Sequence, residues 1–295
     1  MPWDLEAQTE GGDAMAMELV YDGGPTFDPP PEDPTFVRLE ETRTARLKRI
    51  VGEGGLRRLA ESRVCVLGLG GVGSSCVEAL ARGGVGRFLL VDQDIVQPSN
   101  INRQAIAFES TVGRPKIEVM AGMVQDIDPD ADVLGYKYFL DARNIGLFMD
   151  EHVDSLDYVI DAIDSISTKL ALARYFCDRR RAQGTDGERR WPVLISSMGG
   201  GNKLDPLRFS FSDLYDTVND PIARIMRKEG RKMGITELLV LSSSERPFKT
   251  SGDPEAARQQ RSGLGTMSYI PPIMGQLLAS YVIRDILEDE LGLEG

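Results

Sequence analysis

From residue 63 to about residue 200, short apolar runs alternate with longer stretches of helical periodicity. Arg63–Leu67 is an apolar run of strand type that ends in glycines, and Ser74 to Arg82 reads as a helix closed by Gly83-Gly84. Arg87–Val91 predicts a second strand ending at Asp92, Lys116 to about Asp126 a helix, and Val133–Leu140 a third, alternating strand. Tyr158–Ile160 predicts a fourth strand ending at Asp161, Ser167 to about Arg181 a helix, and Val193–Ser196 a fifth strand. This alternation predicts an α/β, Rossmann-like fold: a doubly wound, mostly parallel sheet with helices on both faces. Ligands of such sheets sit beyond the carboxyl ends of the strands, here Gly68–Gly73, Asp92, Asp161–Asp164 and Ser196–Gly201.

The flanks read differently. Residues 1–34 carry Gly23-Gly24-Pro25, Pro29-Pro30-Pro31 and scattered acids without period, which predicts a disordered tail. No basic start precedes an apolar run there, so no secretory signal is expected. Residues 35–61 predict a charged helical segment interrupted by Gly52 and Gly54-Gly55, and residues 62–206 the nucleotide-binding core. Residues 207–295 predict an irregular extension of the same domain. It holds a strand-like Arg208–Phe211, a basic helix from Pro221 to Lys232, an apolar run Glu237–Leu241 and a loose polar stretch Thr250–Gly265. It ends in an apolar helix, Ile273–Leu287, led by Pro271-Pro272. That helix falls short of the about 20 apolar residues needed to span a bilayer. A buried or subunit-interface role is expected of it, with peripheral membrane contact the lesser alternative.

Charge and cysteine content narrow the classes. A formal net charge of −12 argues against a general nucleic-acid coat, because phosphate binding depends on Lys and Arg. Local basic faces remain at Arg179-Arg180-Arg181 with Arg189-Arg190, and at Arg224, Arg227, Lys228, Arg231 and Lys232. The three cysteines form no CxxC pair, which argues against a disulfide framework and a zinc site and for a reducing, cytoplasmic setting. Cys65 and Cys76 read as core residues, and the single histidine, His152, as a surface residue in a polar loop.

The chemistry concentrates after the first two strands. Gly68-x-Gly70-x-x-Gly73 follows a strand and opens a helix, and Asp92 ends the next strand, as in a dinucleotide fingerprint. Glycine permits the tight turn and lets backbone N–H groups approach phosphate, while Asp92 can accept from a ribose hydroxyl. Alone, this pattern also suits an NAD-dependent oxidoreductase or a silent scaffold. The segment Asp92-Gln93-Asp94 through Asn100-Ile101-Asn102-Arg103-Gln104 shifts the reading to ATP. Arg103 can neutralise charge developing on phosphates, Asn100 can orient them, and Lys116 can reach them as a mobile point charge. Asp164 can hold Mg²⁺ that bridges phosphate oxygens, while Asp161 suits a strand-end or capping role.

Together these motifs, with Gly113-x-x-Lys116 and Asp161-x-x-Asp164, resemble the ubiquitin-activating-enzyme-like adenylation domain of the ThiF/MoeB/HesA superfamily, over roughly Thr35 to Asp205. The resemblance implies ATP–Mg²⁺ binding and formation of an acyl-adenylate. Gly68, Gly70, Gly71, Gly73, Asp92, Asp94, Asn100, Asn102, Arg103, Gln104, Lys116 and Asp164 would line the nucleotide site, with Arg103, Lys116 and Asp164 its catalytic members. It also implies a homodimer in which an N-terminal arginine, Arg43 or Arg46, crosses to the partner's site. Members that activate sulfur carriers carry CxxC zinc pairs and often a thioester cysteine, and this chain has neither. Gly55-Leu56 through Ser62, Gly199 to Pro206 and Asp213 to Arg224 instead look like the tRNA threonylcarbamoyladenosine dehydratase branch. That implies tRNA carrying threonylcarbamoyladenosine as substrate, with Arg224, Arg227 and Lys228 candidate tRNA contacts. Some members of the branch have a cysteine near position 240, where Val240 stands here, which argues against a sulfur-transfer partner. The alternative is a zinc-free activating enzyme for a ubiquitin-like or sulfur-carrier protein.

Overall fold

The computed structural model describes residues 18–22, 42–183, 191–248 and 264–291. Its strands are β1 (Glu18–Asp22), β2 (Arg63–Leu67), β3 (Arg87–Val91), β4 (Asp132–Lys137), β5 (Tyr158–Asp161), β6 (Val193–Ser197), β7 (Phe209–Asp213) and β8 (Leu239–Ser243). Its α-helices are α1 (Ala45–Glu61), α2 (Gly71–Arg82), α3 (Lys116–Ile127), α4 (Ile145–His152), α5 (Ile166–Gln183), α6 (Pro221–Lys232) and α7 (Ile270–Leu291). All eight strands form one sheet in the order β1-β4-β3-β2-β5-β6-β8-β7. The six inner strands are parallel, and β1 and β7 close the two edges in antiparallel pairing.

Helices cover both faces, so inner strands such as β2, β3 and β5 are near-continuous apolar runs rather than alternating. Val64 and Val66 of β2 join one core cluster, under α1, α2, α3 and α7. Cys65 and Leu67 join the other, under α4, α5 and α6. The last helix includes the two prolines, Pro271 and Pro272, in its first turn, where their missing N–H groups have no intrahelical partner to lose. Its buried stripe, Ile270, Met274, Leu278 and Val282, packs along α2 within this chain's own core. A Cβ on Gly275 would sit 2.7 Å from the Cys76 backbone nitrogen of α2, so this crossing requires a bare backbone. Among the described residues no helix is long and apolar enough to cross a membrane.

Several expectations are corrected. The disordered tail is interrupted by β1, which pairs Glu18 with Lys137 and Asp22 with Leu134. Five residues of edge strand carry no periodic signal of their own, and their order comes from long-range pairing. The rest of the 1–34 tail lies outside the described residues, as do Arg189, Arg190 and all but the last two residues of the Thr250–Gly265 stretch. The third strand stops at Lys137, so Tyr138, Phe139 and Leu140 leave the sheet. Helix α4 has no counterpart in the sequence reading. Its short mixed sequence is ordered by burial of Ile145, Phe148 and Met149.

His152 ends α4 and is not a surface residue: its ring centroid lies 4.7 Å from that of Phe148 and 5.3 Å from that of Tyr136. Burial, and then the Arg63 charge, hold its pKa below the ordinary histidine value. The unfolded chain therefore takes up this proton first on acidification, and stability must fall as pH drops below the unfolded-state value. His152→Phe keeps a ring but removes the proton. Its melting temperature should gain on that of the wild type as pH is lowered from about 7.5 to about 5.5; parallel melting curves would reveal an erroneous sign.

Candidate active site

A cavity of 410 Å³ opens beyond the carboxyl ends of the parallel strands, within the size range of small-molecule sites. Of the residues predicted to bind nucleotide, Gly68, Gly70, Gly71, Asp92, Asp94, Asn100, Arg103, Gln104, Lys116 and Asp164 line it. Gly73 and Asn102 do not line it. Gly68 has a φ of 90°, and a Cβ on Gly73 would overlap the Gly68 carbonyl oxygen. The turn thus stays bare, and α2 begins at Gly71 with its N-terminus on the cavity.

Asp92 is fixed from below. Its Oδ2 accepts from Leu69 N at 2.6 Å and its Oδ1 from Asp94 N at 2.7 Å. Burial raises its pKa, opposed by the Lys116 charge and those two N–H groups. Lys116 is 5% exposed and its Nζ lies 2.9 Å from Asp94 Oδ2 and 3.8 Å from Asp92 Oδ2. The expected mobile point charge is therefore a buried, clamped one, because the first turn of α3 places its stem inside the protein. Asp94, 55% exposed at its side chain, supplies the clamp.

The 98–104 segment is a tight knot. Asn100 faces the cavity, but its Oδ1 accepts from Gln97 N at 3.0 Å and so shapes the turn. Arg103 Nη1 donates to Ser99 O and to Asn102 Oδ1, both at 2.9 Å. Gln104 is buried, and its Oε1 finds no partner among the described residues, which leaves an acceptor for a ligand donor. Asp164 is exposed on the cavity wall just past β5. Asp161 is not a simple cap: it is buried with Lys169 at 3.1 Å and accepts from Ser196 Oγ at 2.6 Å. This pair ties β5, α5 and β6 beneath the cavity.

The sequence reading missed several lining residues. Tyr138, Phe139 and Leu140 turn in from the end of β4, Ile163 precedes Asp164, and Thr266, Pro271 and Met274 arrive from the C-terminal extension. The first group lies inside the stretch whose alternation predicts a strand to Leu140, so nothing local separates it from β4. Ile163 lies within the strand-end stretch Asp161–Asp164, whereas Thr266 just before α7 and Pro271 and Met274 on it come from far along the chain, and no local pattern carries them. Gly200 and Gly201, expected at a strand end, line the same cavity.

The arginine candidates separate. Arg43 is held by Asp128 and Asp130 of its own chain, whereas Arg46 is exposed on the first turn of α1. Arg227 is not a free surface cation: its Nη1 donates to the Thr217 carbonyl at 2.8 Å and to the Thr217 hydroxyl. Arg224 and Lys228 are exposed and enter no ion pair among the described residues. On α5, Arg179 pairs with Asp150 and Arg180 with Glu237, and Arg181 donates to Gly234 O at 2.5 Å. All three cysteines are buried, and burial pushes the Cys65 and Cys76 thiols up. Val240 is fully buried in β8. Removing one member of the floor pair, by Lys169→Met, should cost about 3–5 kcal/mol in urea unfolding, and Lys169→Met with Asp161→Asn less.

The ThiF family model matches residues 42–203. The chain is 40% identical over 254 residues to the tRNA threonylcarbamoyladenosine dehydratase of Bacillus subtilis (strain 168), covering 83% of this chain and 94% of that one. It is 31% identical over 258 residues to the protein of the same name from Escherichia coli (strain K12), covering 81% and 91%. The fold is similar to the solved structure of E. coli tRNA N6-threonylcarbamoyladenosine dehydratase in complex with AMP, with a TM-score of 0.71 and 29% identity. The complex of that protein with ATP gives 0.70 and 28%, and both comparisons cover 85% of this chain and 96% of the other. The chain belongs to the ThiF family, in the branch that holds the tRNA threonylcarbamoyladenosine dehydratases.

Proposed function

We propose that this protein uses ATP to adenylate the carboxylate of threonylcarbamoyladenosine in tRNA and promotes its dehydrative cyclisation. The observation that carries the reading is the gathering of a bare glycine turn, Arg103, Lys116 and Asp164 around one cavity, with every cysteine buried away from it. The solved E. coli relative holds ATP and AMP, which supports the same nucleotide here. Gly70 and Gly71 present backbone N–H groups to phosphate, and Asp92 is set to receive a ribose hydroxyl. Arg103 and the clamped Lys116 meet the charge that moves onto pyrophosphate as it departs.

Asp164 is a hard oxygen donor suited to Mg²⁺. No cluster of three or more acidic, histidine or cysteine ligands occurs among the described residues. Asp164 would hold the cation together with the bound nucleotide, as Mg²⁺ sites with one or two carboxylates do. When bound, Mg²⁺ would neutralise phosphate charge.

The carboxylate oxygen attacks the α-phosphorus, pyrophosphate leaves, and an acyl-adenylate results. A nitrogen or oxygen of the same modification then attacks the activated carbonyl, a five-membered ring closes, and AMP carries away the carboxylate oxygen. The net change is loss of water. Because attack is intramolecular, effective molarity on the order of 10⁵ M or more replaces a protein nucleophile, consistent with the buried thiols. Arg224 and Lys228 serve as contacts for tRNA backbone, and Arg46, in a homodimer, serves the partner's site. A reducing cytoplasm suits the three free cysteines.

Incubation with ATP, Mg²⁺ and threonylcarbamoyl-modified tRNA should yield AMP and a nucleoside lighter by one water in mass spectrometry. An unchanged nucleoside, with ATP demonstrably bound, overturns the assignment. Arg103→Ala or Asp164→Asn should lower turnover by about 10²-fold. For the crossing arginine, mixing the impaired Arg46→Ala and Arg103→Ala proteins should raise activity well above that of either alone, since one site of each hybrid is then complete; no recovery would place Arg46 outside the partner's site.

A further inference from the structure

Asn202, in the turn after β6, has a φ of 56°, the left-handed region that asparagine tolerates. It grips the incoming C-terminal extension through both backbone groups of one residue, Gly265. Its backbone N donates to Gly265 O at 2.8 Å, and its Oδ1 accepts from Gly265 N at 2.7 Å. Its own carbonyl accepts from Phe248 N at 2.7 Å. The turn is itself anchored. Lys203, 1% exposed, donates to Ser243 O at 3.1 Å and lies 3.4 Å from the buried Asp220. The Glu245 carboxylate accepts from Leu204 N and Asp205 N at 3.1 and 3.0 Å.

The residue after Gly265 is Thr266, a wall of the cavity. Its carbonyl accepts from Asn102 Nδ2 at 3.2 Å. That contact decides which way the Asn102 amide faces, and its Oδ1 is left toward Arg103 Nη1 at 2.9 Å. Arg103 thus has two supports. One is Ser99 O within its own loop, and the other reaches back, through Asn102 and Thr266, to Asn202. A long side chain with several rotatable bonds loses entropy when it is fixed, so supports that hold it in advance raise its effect on a bound anion.

We propose that Asn202 is a positioning residue for Arg103: through Gly265-Thr266 and Asn102 it holds the guanidinium aimed at the nucleotide phosphates. The proposal rests on the reading of the cavity as an ATP site. It gives the 199–206 turn a role in the reaction although Asn202 itself does not line the cavity.

Asn202→Gly retains the backbone, because glycine accepts positive φ without strain, and removes only the Oδ1 acceptor. Asn202→Asp restores an acceptor at the same place. ATP affinity is measured by calorimetry and kcat/KM for ATP with threonylcarbamoyl-modified tRNA, together with melting temperature. Asn202→Gly should lower kcat/KM about tenfold, the size of a weakened hydrogen bond to a charged group, at nearly unchanged melting temperature. Asn202→Asp should recover most of it. In an Arg103→Ala background Asn202→Gly should cost nothing further, because both changes remove one interaction. Wild-type rates in Asn202→Gly, or an equal fractional loss with and without Arg103, would overturn the positioning role while leaving the ATP reading intact. Failure of the wild type to bind ATP would overturn both.

Discussion

In the turn from β2 to α2 the backbone of Gly73 lies so close to the Gly68 carbonyl that no side chain fits between them. The rest of the site is arranged around that exclusion. Bare backbone there exposes the N–H groups at the start of α2, and Asp92 captures Leu69 N to hold the turn open. The same absence of side chains lets the start of α7 lie over the turn, bringing Pro271 and Met274 to the cavity wall. A residue with a Cβ at Gly73 would separate β2 from α2 and so displace the phosphate-facing backbone together with the helix that covers it.

Around this turn the charges are held rather than free. Lys116 is buried against Asp92 and Asp94, and Arg103 is supported by a carbonyl and an amide. Fixed charges in a partly water-excluded cavity need no reorganisation when phosphate charge moves, which is where electrostatic catalysis draws most of its effect. The cost of burial is visible in the raised pKa of Asp92, and the Lys116 charge offsets it. Beneath the cavity, Asp161–Lys169 and Lys203–Asp220 are two further buried ion pairs. They join strands to the turns that follow them, so their worth lies in fixing geometry more than in net stability.

The surface tells a more selective story than the distribution of arginines in the sequence. Arg179, Arg180 and Arg181 are occupied by neighbouring carboxylates or a carbonyl, and Arg227 by Thr217. On α6, Lys232 pairs with Glu229 and Arg231 lies over the Tyr215 ring, while Arg224 and Lys228 are exposed with no ion pair among the described residues, on a helix whose cap, Asp220, also accepts from Gly199 N at 3.1 Å. The basic helix and the glycine wall of the cavity are therefore mechanically joined. An acidic protein with net charge −12 can present a local cationic face in this way.

The parallel core was legible because buried parallel strands are continuous apolar runs, and β2, β3, β5 and β6 each stand out as one. Most of the cavity lining was legible because its motif residues lie close together in sequence, at strand ends from Gly68 to Lys116 and again at Asp164. Edge strand β1, helix α4 and the enclosure of His152 were not legible, since their order comes from pairing and packing with distant residues rather than from local period. Side-chain partners were equally hidden: nothing local marks Lys116 as clamped, Arg43 as paired with Asp128 and Asp130, Arg227 as bonded to Thr217, or Asn202 as bonded to Gly265. The sequence by itself determined the fold class and the chemistry of the glycine turn, because periodicity and backbone freedom are local properties. Only the tertiary structure decided which charges are fixed, which are free and what closes the cavity, because those depend on contacts between residues far apart in sequence, such as Asn102 and Thr266, 164 positions apart.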